Sequence, residues 1–340
     1  MNGSQRTSLA VTTAAFVVLL AAIAAYTFVA RPWYLSWGTT PAERTRALLG
    51  DDAWIGGVVT GTRAVTVQAP PEKVWSWLIE MGQDRAGFFS YTWLENLALA
   101  DIHNIYVIRP EWQAREPKDL VRAVKPGYLF GLPKKSFVPG WKVSFVAPGG
   151  SITLRDWGTF ALEPTDSGGT RFFIRSRGGP LPGVIGRLAS FWLLDPSHFV
   201  MEKTMMTRIK RLAEGRPGPA GWLEALATAG FAAAALGAAL LIASRKRRGL
   251  WLLVPALYAA LVLEETADLR AGLAGFVALA LVIIGFLIFK KRWWIYFGFF
   301  AIYAYAVLFF AAEAWIVFGL VFLLSVATLL AAALKGLPAR

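Results

Sequence analysis

Long apolar runs occupy both ends of this chain and none interrupts its middle. An apolar helix of about 20 residues belongs in a bilayer, so this feature divides the chain before any motif is read. Leu9–Ala30 runs for 22 residues without a charge. As a helix it reaches about 33 Å, enough to cross the ~30 Å hydrocarbon core. A cleaved signal peptide has an apolar core of only about 7–15 residues, so the run reads better as an uncleaved anchor. After Gly221 five more runs follow, at 222–243, 250–263, 271–289, 293–312 and 314–334. The run 250–263 is short for a span and needs its own polar ends or a smaller tilt than its neighbours. The high hydrophobic content, 56%, is concentrated in these two regions.

Lys and Arg punctuate the C-terminal runs at Arg245–Arg248, Lys290–Arg292, Lys335 and Arg340, whereas 264–270 is acidic through Glu264, Glu265 and Asp268. Basic loops face the cytoplasm, so the 245–248 loop and the C-terminus are expected inside and the middle domain outside. Arg31, Arg44 and Arg46 argue the other way at the first helix, but only Arg31 abuts it. Glu264, Glu265 and Glu313 sit at run edges, as interfacial loop residues do, and Trp293–Trp294 beside Lys291 and Arg292 reads as an interfacial belt. The net charge of +13 divides as +1 before residue 31, +7 over 31–220 and +5 beyond. No basic helix or nucleic-acid motif accompanies it, so nucleic acid is not an expected partner. With no cysteine, disulfides, thiolate metal sites and cysteine nucleophiles are excluded.

The middle has the mixed composition of a water-soluble fold. Thr62–Gln68 alternates and is β-branched, which predicts a strand. Ala69-Pro70-Pro71-Glu72 opens a helix expected to run to about Met81, with Val74, Trp75, Leu78 and Ile79 on its apolar face and Gly82 as its stop. Residues 87–113 are aromatic and expected to be partly helical. From Leu120 the pattern predicts an antiparallel meander: Trp141–Val146, a longer Ile152–Leu162, a turn at Asp166–Gly169, then Thr170–Arg177. In that last strand Phe172 and Ile174 face one way, and Arg171, Arg175 and Arg177 are expected on a solvated face. A long helix, about Leu188–Glu214, closes the domain. Its stripe of Phe191, Leu194, His198, Met201, Met205, Ile209 and Leu212 should face the sheet, with a kink near Pro196. The chain therefore reads as an anchor (1–30), an α+β soluble domain (31–214), a Pro/Gly linker (215–221) and a multi-pass region of about five membrane helices (222–335).

Several runs carry a resemblance. Ala-Pro-Pro-Glu-Lys-Val-Trp-Ser-Trp-Leu (69–78), Met-Gly-Gln (81–83), Gly-Phe-Phe-Ser-Tyr-Thr-Trp-Leu-Glu-Asn (87–96), Asp-Ile-His (101–103), Pro-Glu-Trp-Gln (110–113) and His-Phe-Val-Met-Glu (198–202) resemble a bacterial membrane-tethered branch of the SRPBCC superfamily. That superfamily joins START lipid-transfer domains, pollen-allergen-type carriers and polyketide cyclases. The resemblance covers about residues 55–214 and implies a START-like helix-grip fold: a curved antiparallel sheet around a long C-terminal helix, with an apolar cavity between them for a lipid or other hydrophobic molecule. It does not imply a reaction.

The candidate site follows from that cavity. Trp93, Glu95, Asp101, His103, Glu111 and Trp112 crowd the segment expected to cover one entrance, as a few polar groups among aromatics line small-molecule pockets. A packed lid whose polar groups bond to backbone is the other reading. His198 lies on the helix stripe with Glu202 and Met205. Its three open roles are a tie between elements, a polar anchor for a ligand, and an acid–base catalyst. No spacing of His103, His198 and the nearby acids favours a metal, and no phosphate loop, dinucleotide fingerprint or nucleophile elbow appears, so no cofactor is expected. The expected partners are a hydrophobic small molecule or lipid and the bilayer. A structural or sensory module without ligand remains the principal alternative, and a cyclase- or hydrolase-type enzyme a further one.

Overall fold

The computed structural model describes residues 26–219 apart from 54–56, 98 and 129–139, with isolated positions beyond them. Trp33–Glu224 folds as one compact unit. The anchor expected over 1–30 and the multi-pass region expected over 222–335 lie almost wholly outside the described residues. Among the described residues no helix is long and apolar enough to cross a membrane.

The unit is α+β. Short helices α1 (Arg31–Leu35) and α2 (Pro41–Thr45) precede strand β1 (Val58–Val67). Helices α3 (Pro71–Leu78) and α4 (Thr92–Leu97) follow, then strands β2 (Leu120–Arg122), β3 (Gly140–Ala147), β4 (Ser151–Leu154), β5 (Gly158–Pro164) and β6 (Thr170–Gly178). Helices α5 (Gly183–Ala189) and α6 (Asp195–Ala213) end the domain. The six strands form one antiparallel sheet in the order β1-β6-β5-β4-β3-β2. The first strand thus pairs with the last, Val67 opposite Thr170 and Val58 opposite Gly178. The inner face carries Val67, Ile152, Leu154, Phe160, Phe172 and Ile174 into the main core with Met205, Met206 and Ile209 of α6. Burying such side chains stabilises the fold by about 1.5–3 kcal/mol each.

Four sequence expectations change in the structure. The helix opened by Pro71 stops at Leu78 rather than Met81. Beyond it the buried Arg115 guanidinium takes the free carbonyls of Ile79 and Met81, and Gly82 turns the chain at φ +135°. The long strand expected over 152–162 is a hairpin, β4 and β5. Asp156 (φ +66°) makes its turn, and the Trp157 N–H donates back to the Leu154 carbonyl at 3.2 Å. Asp tolerates that left-handed conformation better than most residues. At Gly158 (φ +140°) a Cβ would collide with the Arg175 carbonyl oxygen.

The third change concerns the arginine row on β6, which is not solvated. Residues 33–53 cover that face and build a second small core of Leu48, Ala64, Ala161 and Phe173. Arg175 is buried in an ion pair with Asp51 and also donates to the Arg46 and Glu43 carbonyls at 2.8 and 2.9 Å. Arg171 pairs with Glu43 at 2.9 Å. Thr40 and Glu43 form a capping box at the start of α2. Thr153 Oγ1 donates to the Gly50 carbonyl at 2.9 Å and Ser151 Oγ to that of Leu49 at 2.6 Å, fixing the cover to β4.

The fourth change is in the last helix. Pro196 has no N–H to give the Trp192 carbonyl. The chain answers with a π-turn at Ser190–Leu194, where the Asp195 N–H reaches back five residues to Ser190. Such a turn inserts an extra residue and rotates the stripe. The expected stripe holds from His198 onward, but Leu194 is exposed.

Two outcomes test this account of the covered face. Asp51→Ala leaves Arg175 buried without its counter-charge and should destabilise the domain by about 3–5 kcal/mol in urea unfolding of the full chain in detergent. Hydrogen bonding from Arg171 draws the Glu43 carboxyl from 4.5 down to about 2, against the upward push of burial. A carboxyl lowered on folding contributes stability above its unfolded pKa and loses it as pH falls. Unfolding profiles should therefore lose stability between about pH 4.5 and pH 2, with Glu43→Gln flattening that part of the curve.

Candidate functional site

The inner face of β1 places Arg63 in phase with Val65 and Val67, pointing into the core rather than away from it. Ser176 likewise continues the inward row of Phe172 and Ile174 on β6. The β4–β5 turn aims Trp157 inward between them and α6. All three converge on Glu202, which is fully buried. Trp157 Nε1 donates to its Oε1 at 2.7 Å and Ser176 Oγ to the same oxygen at 2.8 Å, while Arg63 bonds its Oε2. Arg63, only 2% exposed, also donates to the Tyr34 carbonyl at 2.9 Å and lies over the Phe199 ring. Burial pushes the Glu202 carboxyl up. The Arg63 guanidinium, then His198 and the two hydrogen bonds, outweigh it and hold the group below its ordinary value. Glu202 is therefore a fixed anion that ties three sheet elements to α6.

One turn earlier on the same helix face, His198 Nε2 stands 3.6 Å from Glu202 Oε1. That distance is longer than a hydrogen bond, so the contact between the two is electrostatic. The ring lies 5.6 Å from that of Trp157 and, with side chain 41% exposed, forms part of a cavity wall.

The cavity, of about 300 Å³, lies between α6 and the inner side of the sheet. Phe88, Trp141 and Trp157 form an aromatic wall, with the two indoles 4.3 Å apart. Ile102, Val124, Met201 and Met205 supply aliphatic surface, and Ala100 and Ala123 leave the space open. Ser90, Glu95 and His198 are the polar groups of the lining. The Ser90 carbonyl accepts from Arg208 at 2.6 Å and from Asn104 at 2.8 Å, whereas its buried hydroxyl has no partner among the described residues. A buried unmatched hydroxyl costs free energy until something bonds to it.

The candidates drawn from the sequence separate accordingly. Glu95, His198 and Met205 line the cavity, with Glu202 behind the wall. Trp93 falls on α4, and its side chain lies outside the described residues. Asp101 and His103 are on the surface, 3.2 Å from each other, with Asp101 in a left-handed turn (φ +60°). Glu111 is exposed beside Arg109. Trp112 is half-buried against the main core but outside the cavity lining; nearby, the Arg109 N–H donates to Glu80 at 2.7 Å and Arg85 donates to the Trp112 carbonyl at 2.7 Å. None of residues 109–115 is in the cavity lining, where Glu111 and Trp112 were expected to cover an entrance. Arg63, Ser90, Trp141, Trp157 and Ser176 were not among the candidates. Among the described residues no three His, Asp or Glu side chains gather as a metal site.

No family model, curated protein or solved structure matches this chain.

The clamp has a direct test. Removing one partner of a buried pair strands the other charge, so Glu202→Leu alone should cost about 3–5 kcal/mol. The double variant Arg63→Met/Glu202→Leu should recover much of that loss in urea unfolding, because no buried charge remains.

Proposed function

We propose that this chain is a membrane-anchored, START-like binding protein whose cavity takes up an amphipathic hydrophobic molecule, lipid or otherwise. The observation that carries this reading is the cavity itself: apolar over most of its wall, with an unmatched Ser90 hydroxyl and a half-exposed His198. Ligand pockets have this character, and about 300 Å³ lies at the small end of their range. An apolar body fits against Trp141, Trp157 and Met205, while a polar head reaches Ser90 and His198. The order of strands and helices, with the long α6 against the inner sheet face, supports relationship to the SRPBCC superfamily. The basic C-terminal clusters support an extracytoplasmic domain on a multi-pass chain.

An acid–base role is the weaker reading. Glu202 is committed to three donors and held charged, leaving His198 as the sole titratable partner of that pair in the wall. A histidine fixed beside an anion suits anchoring a ligand's polar group.

Native mass spectrometry of the full chain released from detergent should show a bound hydrophobic mass. Ligand entry should also change Trp141 and Trp157 fluorescence. Ala123→Trp, which fills the cavity, should abolish binding of a fluorescent fatty-acyl probe. His198→Ala should weaken it about 5- to 10-fold, the value of one hydrogen bond. A chain that carries no such mass and binds no probe would favour a structural or sensory module instead.

A further inference from the structure

Residues 181–194 are Leu-Pro-Gly-Val-Ile-Gly-Arg-Leu-Ala-Ser-Phe-Trp-Leu-Leu, with Arg187 their only charge. As an amphipathic element of a soluble domain this segment would bury its apolar side. Instead Val184, Ile185, Leu188, Trp192 and Leu193 are all exposed, Ile185 to 84%. Positions 184, 185, 188 and 192 recur at helical spacing and so share one side of α5 and its π-turn. Contiguous exposed apolar surface of this kind marks a docking site rather than ordinary surface.

Three contacts fix where this surface lies in the domain. Val58, 75% exposed, pairs with Gly178 at the end of β6, directly before the segment. Gly61 of β1 lies against the backbone of Leu35, the last residue of α1. Trp33 meets Phe199 edge-on at 5.6 Å, and Tyr34 stacks on it at 5.3 Å, in the first turns of α6. The segment therefore starts just after a strand end paired with the start of β1 and ends just before the turns of α6 that Trp33 and Tyr34 of α1 touch. Only Arg31 and Pro32 separate the end of the apolar run Leu9–Ala30 from Trp33.

We infer that α5 with its π-turn, together with the start of β1, is a docking surface for the lipid bilayer and lies in its interface. The continuity of the apolar patch with the entry of an anchor-length apolar run argues for lipid as the occupant. The exposed indoles Trp33 and Trp192 and the lone Arg187 suit the headgroup level, where amphipathic rings and basic side chains settle. The inference rests on reading Leu9–Ala30 as an anchor, and does not require that the cavity hold a ligand.

The chain has no cysteine, so single-cysteine variants report single sites. Val58→Cys, Ile185→Cys and Leu188→Cys in the full chain, each carrying a polarity-sensitive fluorophore, are placed in phosphatidylcholine–phosphatidylglycerol nanodiscs. Lys142→Cys serves as reference: it is exposed on β3, four strands or about 19 Å from β1 in the sheet. Doxyl-labelled lipid should quench the three patch sites several-fold more than the reference, and aqueous iodide should do the reverse. Ile185→Asp/Leu188→Asp, made on a solvent-facing surface that folding does not need, should remove lipid quenching at Val58→Cys. Equal quenching at all four sites overturns the inference. So does protection of the patch from both quenchers, which would mean cover by protein, such as a second copy. Fatty-acyl probe binding by the Asp double variant in micelles separates this proposal from the cavity reading: it is retained if only docking is lost, and is absent in wild type too if the cavity reading itself fails.

Discussion

The buried pair of Arg63 and Glu202 is the constraint on which the rest of the domain depends. It joins the first strand to the last helix, and Trp157 and Ser176 add the hairpin turn and the last strand to the same carboxylate. Buried ion pairs contribute little net stability compared with apolar packing, but they penalise every arrangement that separates them. A slip of α6 by one turn would bring His198 or Met206 to this position and strand two buried charges. The pair therefore selects one register of helix on sheet, and that register places His198, Met201 and Met205 along the cavity. The open volume beside the clamp exists because the clamp, rather than close packing on all sides, sets where the helix lies.

The second dependence is on the segment that follows the first apolar run. A half-buried sheet normally shows water one face, yet here residues 33–53 close it with the Asp51–Arg175 and Glu43–Arg171 pairs and a small apolar core. Tyr34 also gives its carbonyl to Arg63. Residues that look like a connector after the first apolar run are thus part of the fold, touching both faces of the sheet. Only Arg31 and Pro32 separate the apolar run from the first such residue.

Much of the scaffold was legible because its signals are local. Proline and glutamate after a β-branched strand open α3, alternation gives β1, β3 and β6, and the 198–212 spacing gives the buried side of α6. His198 and Glu202 were legible as a pair because four residues along a helix share a face. Arg63 was readable in principle, since it stands in phase with the part-buried Val65 and the buried Val67, but its partner lies 139 residues away and no local pattern points to it. The β6 arginines were misplaced for the same reason: alternation says that they oppose Phe172 and Ile174, not that another segment covers them. Asp101, His103, Glu111 and Trp112 were expected at the site because the resemblance implies a cavity and their segment is crowded with polar and aromatic groups. A left-handed turn at Asp101 and the Glu80 and Arg85 bonds to residues 109 and 112 send them elsewhere, and crowding in sequence carries no such directional information.

The cavity and the exposed helix are consecutive along the chain, and that order has a physical consequence. The π-turn forced by Pro196 ends the outward-facing apolar segment, and one turn later His198 and then Met201 begin the cavity wall. A hydrophobic molecule leaving a bilayer through water loses about 0.8 kcal/mol for each methylene it exposes. A binding site tethered at a fixed distance in solution would face that barrier on every uptake. One whose wall starts where a membrane-facing helix ends avoids most of it, because apolar surface continues from one to the other. The same rotation that makes α5 unsuitable for the core of a soluble domain is therefore what would let the two proposed activities, docking and uptake, share a single helix.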